Sequence, residues 1–279
     1  MSFEVEKGTL YVVPTPIGNL SDISYRAEEV LKAVDFVAAE DTRVSGKLLS
    51  LLGIKKSFMS YHEHNKSSAG QKVADRILSG ESCALVTDAG TPAISDPGEQ
   101  LVALCRESGV KVVPIPGACA FITALSASGF DSRRFCFEGF LPPEKNKRSE
   151  ILDMYKNESK TVIFYEAPHR LVNTVNELYS VLGDRKICVA RELTKINEEI
   201  ITTTLSEFAK KLEDKEPRGE YVLILEGAKV SGENAFFENL TVEEHVEFYE
   251  KQGMSRMDAI KSCAKDRHVP KNEIYKQLL

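Results

Sequence analysis

The chain has 279 residues, 42% hydrophobic and 28% charged, which is enough apolar matter for two modest domains or one large one. Its net charge of −6 argues against a nonspecific nucleic-acid coat, and no apolar run is long enough to span a membrane. Six cysteines (Cys83, Cys105, Cys119, Cys136, Cys188 and Cys263) stand far apart without a C-x-x-C pair, which predicts buried thiols in a reduced, cytoplasmic setting and no zinc site.

Strands and helices alternate from the start. An apolar strand over 9–13 ends in Pro14-Thr15-Pro16-Ile17-Gly18-Asn19, a helix follows over 25–33, and a strand over 36–39 ends in Glu40-Asp41-Thr42-Arg43. One helix then ends at Gly53 and another, from about 69 to 78, stops at Gly80. The next strand, from Cys83, runs into Thr87-Asp88-Ala89-Gly90-Thr91-Pro92. A helix is expected after that loop, with Asp96 as N-cap, Pro97 at its first position and Glu99 closing a capping box; it ends at Gly109. A strand over 110–115 and an apolar helix over 118–128 complete a mostly parallel sheet with helices on its faces.

The second half has a different texture. Strands are expected at 161–165, 186–190, 199–205 and 220–225, with strong helices only at 170–182 and 206–214, so this half reads as a second α/β domain with a mixed sheet. A polar linker at 229–234 precedes three short helices, one capped by Thr241 with Glu244 at its third position, one after Ser255 and one after Pro270. The expected domains are 1–118, 119–228 and a helical, basic 235–279. Residues 251–279 carry seven Lys/Arg against three acids, hence +4, which leaves −10 for everything before them. That asymmetry points to a polyanion at a defined patch, as do Arg133-Arg134 and Lys145-Asn146-Lys147-Arg148.

The chemistry gathers where strands end. No strand is followed by G-x-G-x-x-G, which argues against a Rossmann dinucleotide site. Gly46-Lys47 is not a P-loop, because Asp41 stands where the first glycine belongs. Five polar clusters close strands: the three above, then Tyr165-Glu166-Ala167-Pro168-His169-Arg170 and Arg191-Glu192-Leu193-Thr194-Lys195. Together they read as one ligand cleft between the two α/β domains. His62-Glu63-His64-Asn65 lacks the further ligands of a metal site, and hydrogen bonding to substrate or a nearby loop is the better reading.

The ordered set Pro-Thr-Pro-Ile-Gly-Asn-Leu, Ala-Glu-Asp-Thr-Arg, His-Glu-His-Asn, Asp-Ala-Gly-Thr-Pro with Ser-Asp-Pro-Gly, Glu-Ala-Pro-His-Arg and Arg-Glu-Leu-Thr-Lys closely resembles the tetrapyrrole methylase superfamily. Within it, the set resembles the branch that methylates a cytidine ribose in small-subunit ribosomal RNA. The match covers roughly residues 8–227, and the tail resembles that branch's small helix-turn-helix-like domain. Thr87 departs from the serine expected there. The resemblance implies an α/β, two-domain fold with a cofactor cleft between the domains and a small all-α C-terminal domain. It also implies a homodimer and S-adenosyl-L-methionine as cofactor; no metal is expected, because no ligand set is visible in the sequence and sulfonium alkyl transfer requires none. The implied cofactor positions are Pro16, Ile17, Asp88, Ala89, Gly90, Thr91, Ile94, Cys119, Ala120, Tyr165, Glu166, Arg191 and Glu192. For the chemistry, Lys195 could be a general base if Arg191 or burial lowered its pKa, with Glu40 or Asp41 as rivals. Arg43 and Arg170 are candidates for phosphate or base contacts. The expected substrate is a folded ribonucleoprotein particle, since a chain of this charge binds naked RNA poorly. Two alternatives stay open: a porphyrinoid methylase of the same fold, and a non-enzymatic nucleic-acid binder that uses the tail.

Overall fold

Short β-branched and small apolar runs alternate with amphipathic helices, and parallel strands built from such runs need helical crossovers on both faces. The computed structural model, which describes residues 4–213, 216–228, 237, 240–267 and 269–278, follows that logic. Its chain divides into two compact units, Met1–Gly227 and Ala228–Leu279.

The first unit holds two sheets. In the first, β1 (Thr9–Val12), β2 (Phe36–Ala39), β3 (Ser57–Ser60), β4 (Cys83–Val86) and β5 (Lys111–Pro114) are all parallel, in the order β3-β2-β4-β1-β5. The crossovers are α1 (Tyr25–Ala33), α2 (Thr42–Leu51), α3 (Lys66–Leu78) and α4 (Glu99–Glu107). Successive side chains of the central strands go to opposite faces. Leu10, Phe36, Ala38, Cys83 and Leu85 pack with α3 and α4 residues such as Val73, Ile77 and Leu101. Tyr11, Val37, Ala39, Ala84 and Val86 pack with Val30, Leu31 and Leu49 on the other face. A parallel sheet of this kind binds ligands beyond the carboxyl ends of its strands.

After α5 (Ala120–Ser128) the chain builds the second sheet from β6 (Phe135–Phe140), β7 (Thr161–Glu166), β8 (Lys186–Arg191), β9 (Glu199–Thr204) and β10 (Tyr221–Leu225). The order is β6-β7-β10-β8-β9; only β6 and β7 are parallel, so the sheet is mixed. α6 (Lys145–Met154), α7 (Pro168–Leu182) and α8 (Leu205–Glu213) complete this half. Leu223 and Leu225 of the central strand pack with Phe164, Leu171, Leu178 and Phe208, while Val222 and Ile224 pack with Ala124 and Leu125 of α5. Each fully buried side chain of this size contributes about 1.5–3 kcal/mol.

The second unit is helical: α9 (Val242–Lys251), α10 (Arg256–Asp266) and α11 (Lys271–Gln277) around Val246, Ala259, Ile260, Cys263 and Ile274. Its first helix opens with the reciprocal capping box read from the sequence, Thr241 Oγ1 accepting the Glu244 N–H (3.2 Å) and Glu244 accepting the Thr241 N–H (2.7 Å). His245 is wholly buried; its Nδ1 accepts from Arg267 Nε at 3.1 Å, its Nε2 lies 3.2 Å from Asp266, and burial, then Arg267, lowers its pKa.

Two expectations about elements change. The helix expected at Pro97 begins at Glu99, with Gly98 (φ +152°) as its N-cap and no side-chain cap. Asp96 therefore caps nothing, and the capping box is absent. Helix α5 begins at Ala120, not 118, while β3, β6 and α6 were not read from the sequence at all. The linker expected at 229–234 and the end of the helix expected at 214 lie outside the described residues.

Candidate active site and its carboxylate-lined cavity

The loops after β1 and β4 are tied together where the strands end. Thr15 and Gly90 exchange two main-chain hydrogen bonds, Thr15 N–H to Gly90 (2.9 Å) and Gly90 N–H to Thr15 (3.0 Å), and Thr15 Oγ1 donates to Thr87 (3.1 Å). Gly90 has φ +90°, and a Cβ there would stand 3.4 Å from Ile17 Cγ2. Thr91 Oγ1 donates to the Ala118 carbonyl at 2.8 Å, and the Phe121 N–H donates to the Tyr165 hydroxyl at 3.1 Å, which fastens the start of α5 to both sheets. Two non-glycine residues of the same loop, Ala93 (φ +66°) and Ser95 (φ +63°), sit in the left-handed region, a strain that concentrates at ligand sites. The loop after β1 also meets the loop after β8. A Cβ on Gly18 would fall 2.5 Å from Lys195 Cγ and 2.8 Å from Thr194 Oγ1, so only glycine lets the two loops approach.

These loops enclose a cavity of about 470 Å³. From the first half of the chain it is lined by Ile17, Glu40, Asp88, Ala89, Gly90, Thr91, Ile94, Ser95, Asp96, Cys119 and Ala120, and from the second by Phe140, Tyr165, Glu166, Ala167, Pro168, Ala190, Leu193, Glu220, Tyr221 and Val222. Five of the lining residues are acids and none is Lys, Arg or His.

Each acid is held differently. Glu40 accepts the Thr87 hydroxyl at 2.7 Å. Asp88 accepts the Asp41 N–H at 3.2 Å, and burial raises its pKa, with the charges of Glu40 and Asp41 adding to the shift. Glu166 is buried and takes the Ala167 N–H (2.9 Å) and the Thr174 hydroxyl, with Arg170 Nε at 3.4 Å. Burial pushes Asp96 up to about 6, helped by the Glu40 charge and opposed by the nearby Thr87 hydroxyl. Glu220 is bound by Lys195 Nζ at 2.9 Å.

Residues 9–209 match the model of the tetrapyrrole (corrin/porphyrin) methylases. The chain belongs to the tetrapyrrole methylase family. A relative from Bacillus subtilis named ribosomal RNA small subunit methyltransferase I is 48% identical over 280 residues, spanning 99% of this chain and 96% of the relative. One of the same name from Halalkalibacterium halodurans is 47% identical, spanning 97% and 94%. Among solved structures, the cobalamin biosynthetic enzyme cobalt precorrin-4 methyltransferase matches with a TM-score of 0.58 at 16% identity, over 78% of this chain and 95% of its own, a likeness of fold.

Within this tetrapyrrole methylase, the structure sorts the residues expected at the site. Ile17, Glu40, Asp88, Ala89, Gly90, Thr91, Ile94, Cys119, Ala120, Tyr165 and Glu166 line one cavity. Pro16 is not among the lining residues. Arg191 turns away, donating from Nε to the Arg218 carbonyl at 2.7 Å and lying 3.8 Å from Glu199 in a separate cavity. Glu192 stands behind the wall, accepting Lys195 Nζ (2.9 Å) and the Glu220 N–H (3.0 Å). Arg170 donates to the Leu141 carbonyl at 2.6 Å. Arg43 clamps Asp41 through three side-chain contacts of 2.6–3.2 Å, which holds the Asp41 carboxyl down at about 2. Lys195 reverses its expected direction. Burial does lower its pKa, but the carboxylates of Glu192 and Glu220 outweigh burial and hold it above the usual lysine range. It is a cation between two acids, not a depressed base.

The lining residues that sequence reasoning missed have identifiable causes. Asp96 precedes Pro97 and mimics a helix cap. Glu220, Tyr221 and Val222 begin a strand instead of ending one. They reach the site because β10 runs antiparallel to its neighbours, with Tyr221 paired to both Glu166 and Arg191. The raised pKa of Asp96 has a sign that can be checked. The folded chain binds its proton more tightly than the unfolded chain does, near 4, so the stability from a neutral Asp96 is present below that value and is lost as pH rises through about 6. Asp96→Asn keeps the group neutral and is expected to raise Tm over the parent by a few degrees at pH 8. The gap should close by pH 4; a gap independent of pH would contradict the buried carboxyl.

Proposed function

We propose that this chain transfers a methyl group from S-adenosyl-L-methionine to the 2′-hydroxyl of a cytidine ribose in the RNA of the small ribosomal subunit. The observation that carries the reading is the end-to-end match, helical tail included, to relatives named for small-subunit ribosomal RNA. The cavity's chemistry agrees with the cofactor. Five acids complement a sulfonium cation, the apolar side chains of Ile17, Tyr165, Leu193 and Val222 suit an adenine ring, and the bare Gly90 backbone allows close approach. A carboxylate-bearing macrocycle would meet the same five acids and no cation on the lining, which disfavours the porphyrinoid reading.

When bound, S-adenosyl-L-methionine supplies an electrophilic methyl group on a sulfonium centre. The rest falls to the chain. The main chain of residues 89–91, with Ile17, Cys119, Ala120, Tyr165 and Glu166, holds and orients the cofactor. A ribose hydroxyl is a weak nucleophile and must lose its proton during transfer, so a nearby base active close to neutral pH is needed. Asp96, raised to about 6 partly by the Glu40 charge, meets that description. Asp41, held down by Arg43, accepts protons poorly, and Lys195 already holds one. The proton passes from the 2′-oxygen to Asp96 and on to solvent. Lys195 fixes Glu220 in the wall. The Arg43 side chain, 90% exposed, is the proposed contact for an RNA phosphate.

Labelled methyl transfer from S-adenosyl-L-methionine to small ribosomal subunits, naked RNA and porphyrinoid acids in parallel tests the reading. Label is expected on the particle, with a rate that rises through pH about 6 as Asp96 ionises; label on the porphyrinoid alone would refute it. Gly90→Val should abolish cofactor binding by calorimetry while the chain stays folded, because valine strongly disfavours φ +90°. Unchanged affinity would remove the loop from the site. A chain truncated after Gly227 should keep its cofactor affinity, show a higher KM for the particle and lose part of its salt dependence, because the +4 of residues 251–279 goes with the tail. An unaltered salt slope and rate would show that the tail does not anchor RNA.

A further inference from the structure

We propose that Phe140 is the platform on which the base of the acceptor nucleotide stacks, an inference that rests on the RNA reading above. Along β6, the rings of Phe135 and Phe137 face Phe121 of α5, with centroids 6.1 and 4.2 Å away. Glu138 points to the opposite face, where it accepts the Tyr155 hydroxyl. In an unbroken strand Phe140, three residues beyond Phe137, would also point to that opposite face. It does not, because the β6–β7 register slips. Phe137 pairs with Ile163, Gly139 with Phe164 and Phe140 with Tyr165, which leaves Glu138 as the extra residue of a bulge. The bulge returns Phe140 to the face of Ile163 and Tyr165, and Gly139 absorbs the turn at φ +72°. Bulges beside active sites re-aim a side chain in this way at the expense of ladder hydrogen bonds.

The re-aimed ring is not spent on packing. It is 53% exposed while lining the cavity, its ring tilted 58° to that of Tyr165 with centroids 5.5 Å apart. A Cβ on the preceding Gly139 would come within 2.9 Å of Ser95 Oγ, so the ring stands next to the strained loop that carries Asp96. A nucleotide whose 2′-hydroxyl enters this cavity must leave its RNA neighbours and lose their stacking. An aromatic ring on the same cavity as Glu40 and Asp96 replaces that stacking, and any base has the π-face it needs. The ligand class is therefore a splayed-out nucleobase of single-stranded RNA, with its sugar toward Glu40 and Asp96.

The chain contains no tryptophan, so Phe140→Trp puts a lone indole at the site. Its emission is expected to be quenched by millimolar oligocytidylate and to stay unchanged with S-adenosylhomocysteine. Phe140→Ala removes only a half-exposed ring and should leave the cofactor Kd unchanged. Its KM for small subunits should rise about tenfold or more, as losing one base–aromatic stack does, and Phe140→Trp should restore it. Quenching by S-adenosylhomocysteine with no further response to RNA would assign the ring to the cofactor and overturn the proposal, as would an unchanged KM in Phe140→Ala. If the parent chain methylates no small subunit while oligocytidylate still quenches the indole, the methylation reading fails and the stacking platform stands.

Discussion

Confining five carboxylates to one cavity is the constraint around which the first unit is organised. Like charges gathered in one cavity repel, and burial penalises the ionised forms of Asp88 and Asp96, so the acids need hydrogen-bond donors that bring no cation into the cavity. The structure supplies these donors: the Thr87 hydroxyl for Glu40, the Asp41 N–H for Asp88, the Ala167 N–H, Thr174 and Arg170 for Glu166, and Lys195 for Glu220. Asp96 is the least compensated and is the acid whose proton affinity rises to about 6. The cationic partners stay outside, which leaves the interior negative for a positively charged ligand.

Such an arrangement needs two sheets to deliver strand ends to one place, and glycine makes that possible where backbones meet. Thr15 and Gly90 tie the loops of neighbouring parallel strands into a two-residue bridge. Gly18 lets the loop after β1 lie against Thr194 and Lys195, the cation that holds Glu220. The left-handed conformations of Ala93, Ser95, Glu192 and Thr194 fall in the loops that make these contacts. Strain of this kind, of order 1–3 kcal/mol per residue, persists only where the surrounding packing over-determines the backbone. Here the buried faces of both sheets provide that packing.

Much of this was legible in the residues. Strands that end in Pro-Thr-Pro-Ile-Gly-Asn or Asp-Ala-Gly-Thr-Pro announce both the turn and the exposed backbone, since proline and glycine act locally. The alternation of strands with amphipathic helices announced the parallel sheet for the same reason. What stayed hidden depends on partners distant in sequence. The entry of Glu220 to Val222 into the site follows from the antiparallel course of β10, which no local pattern encodes. Burial lowers the Lys195 pKa, and the carboxylates that outweigh it are Glu192, three positions before it, and Glu220, 25 positions away, whose approach no local pattern encodes. Asp96 was misread because Asp-Pro before an apolar run is also how helices begin, and here Gly98 displaces the helix start by two residues.

The charge layout then bears on how a polyanion could use a negative cavity. Phosphates are repelled by the acids that line it, whereas a ribose and a base are neutral and carry hydroxyl and amino donors that carboxylates accept. An RNA acceptor would therefore offer its sugar and base inward and keep its backbone at the rim, where exposed cations such as Arg43 can meet it. The basic excess of residues 251–279 lies in a separate unit, beyond every cavity-lining residue in sequence. On the proposed function, phosphate attraction and methyl-transfer chemistry would fall to different parts of the chain. Were the same cations placed inside the cavity, they would neutralise the acids that suit it to a sulfonium and to taking up a proton.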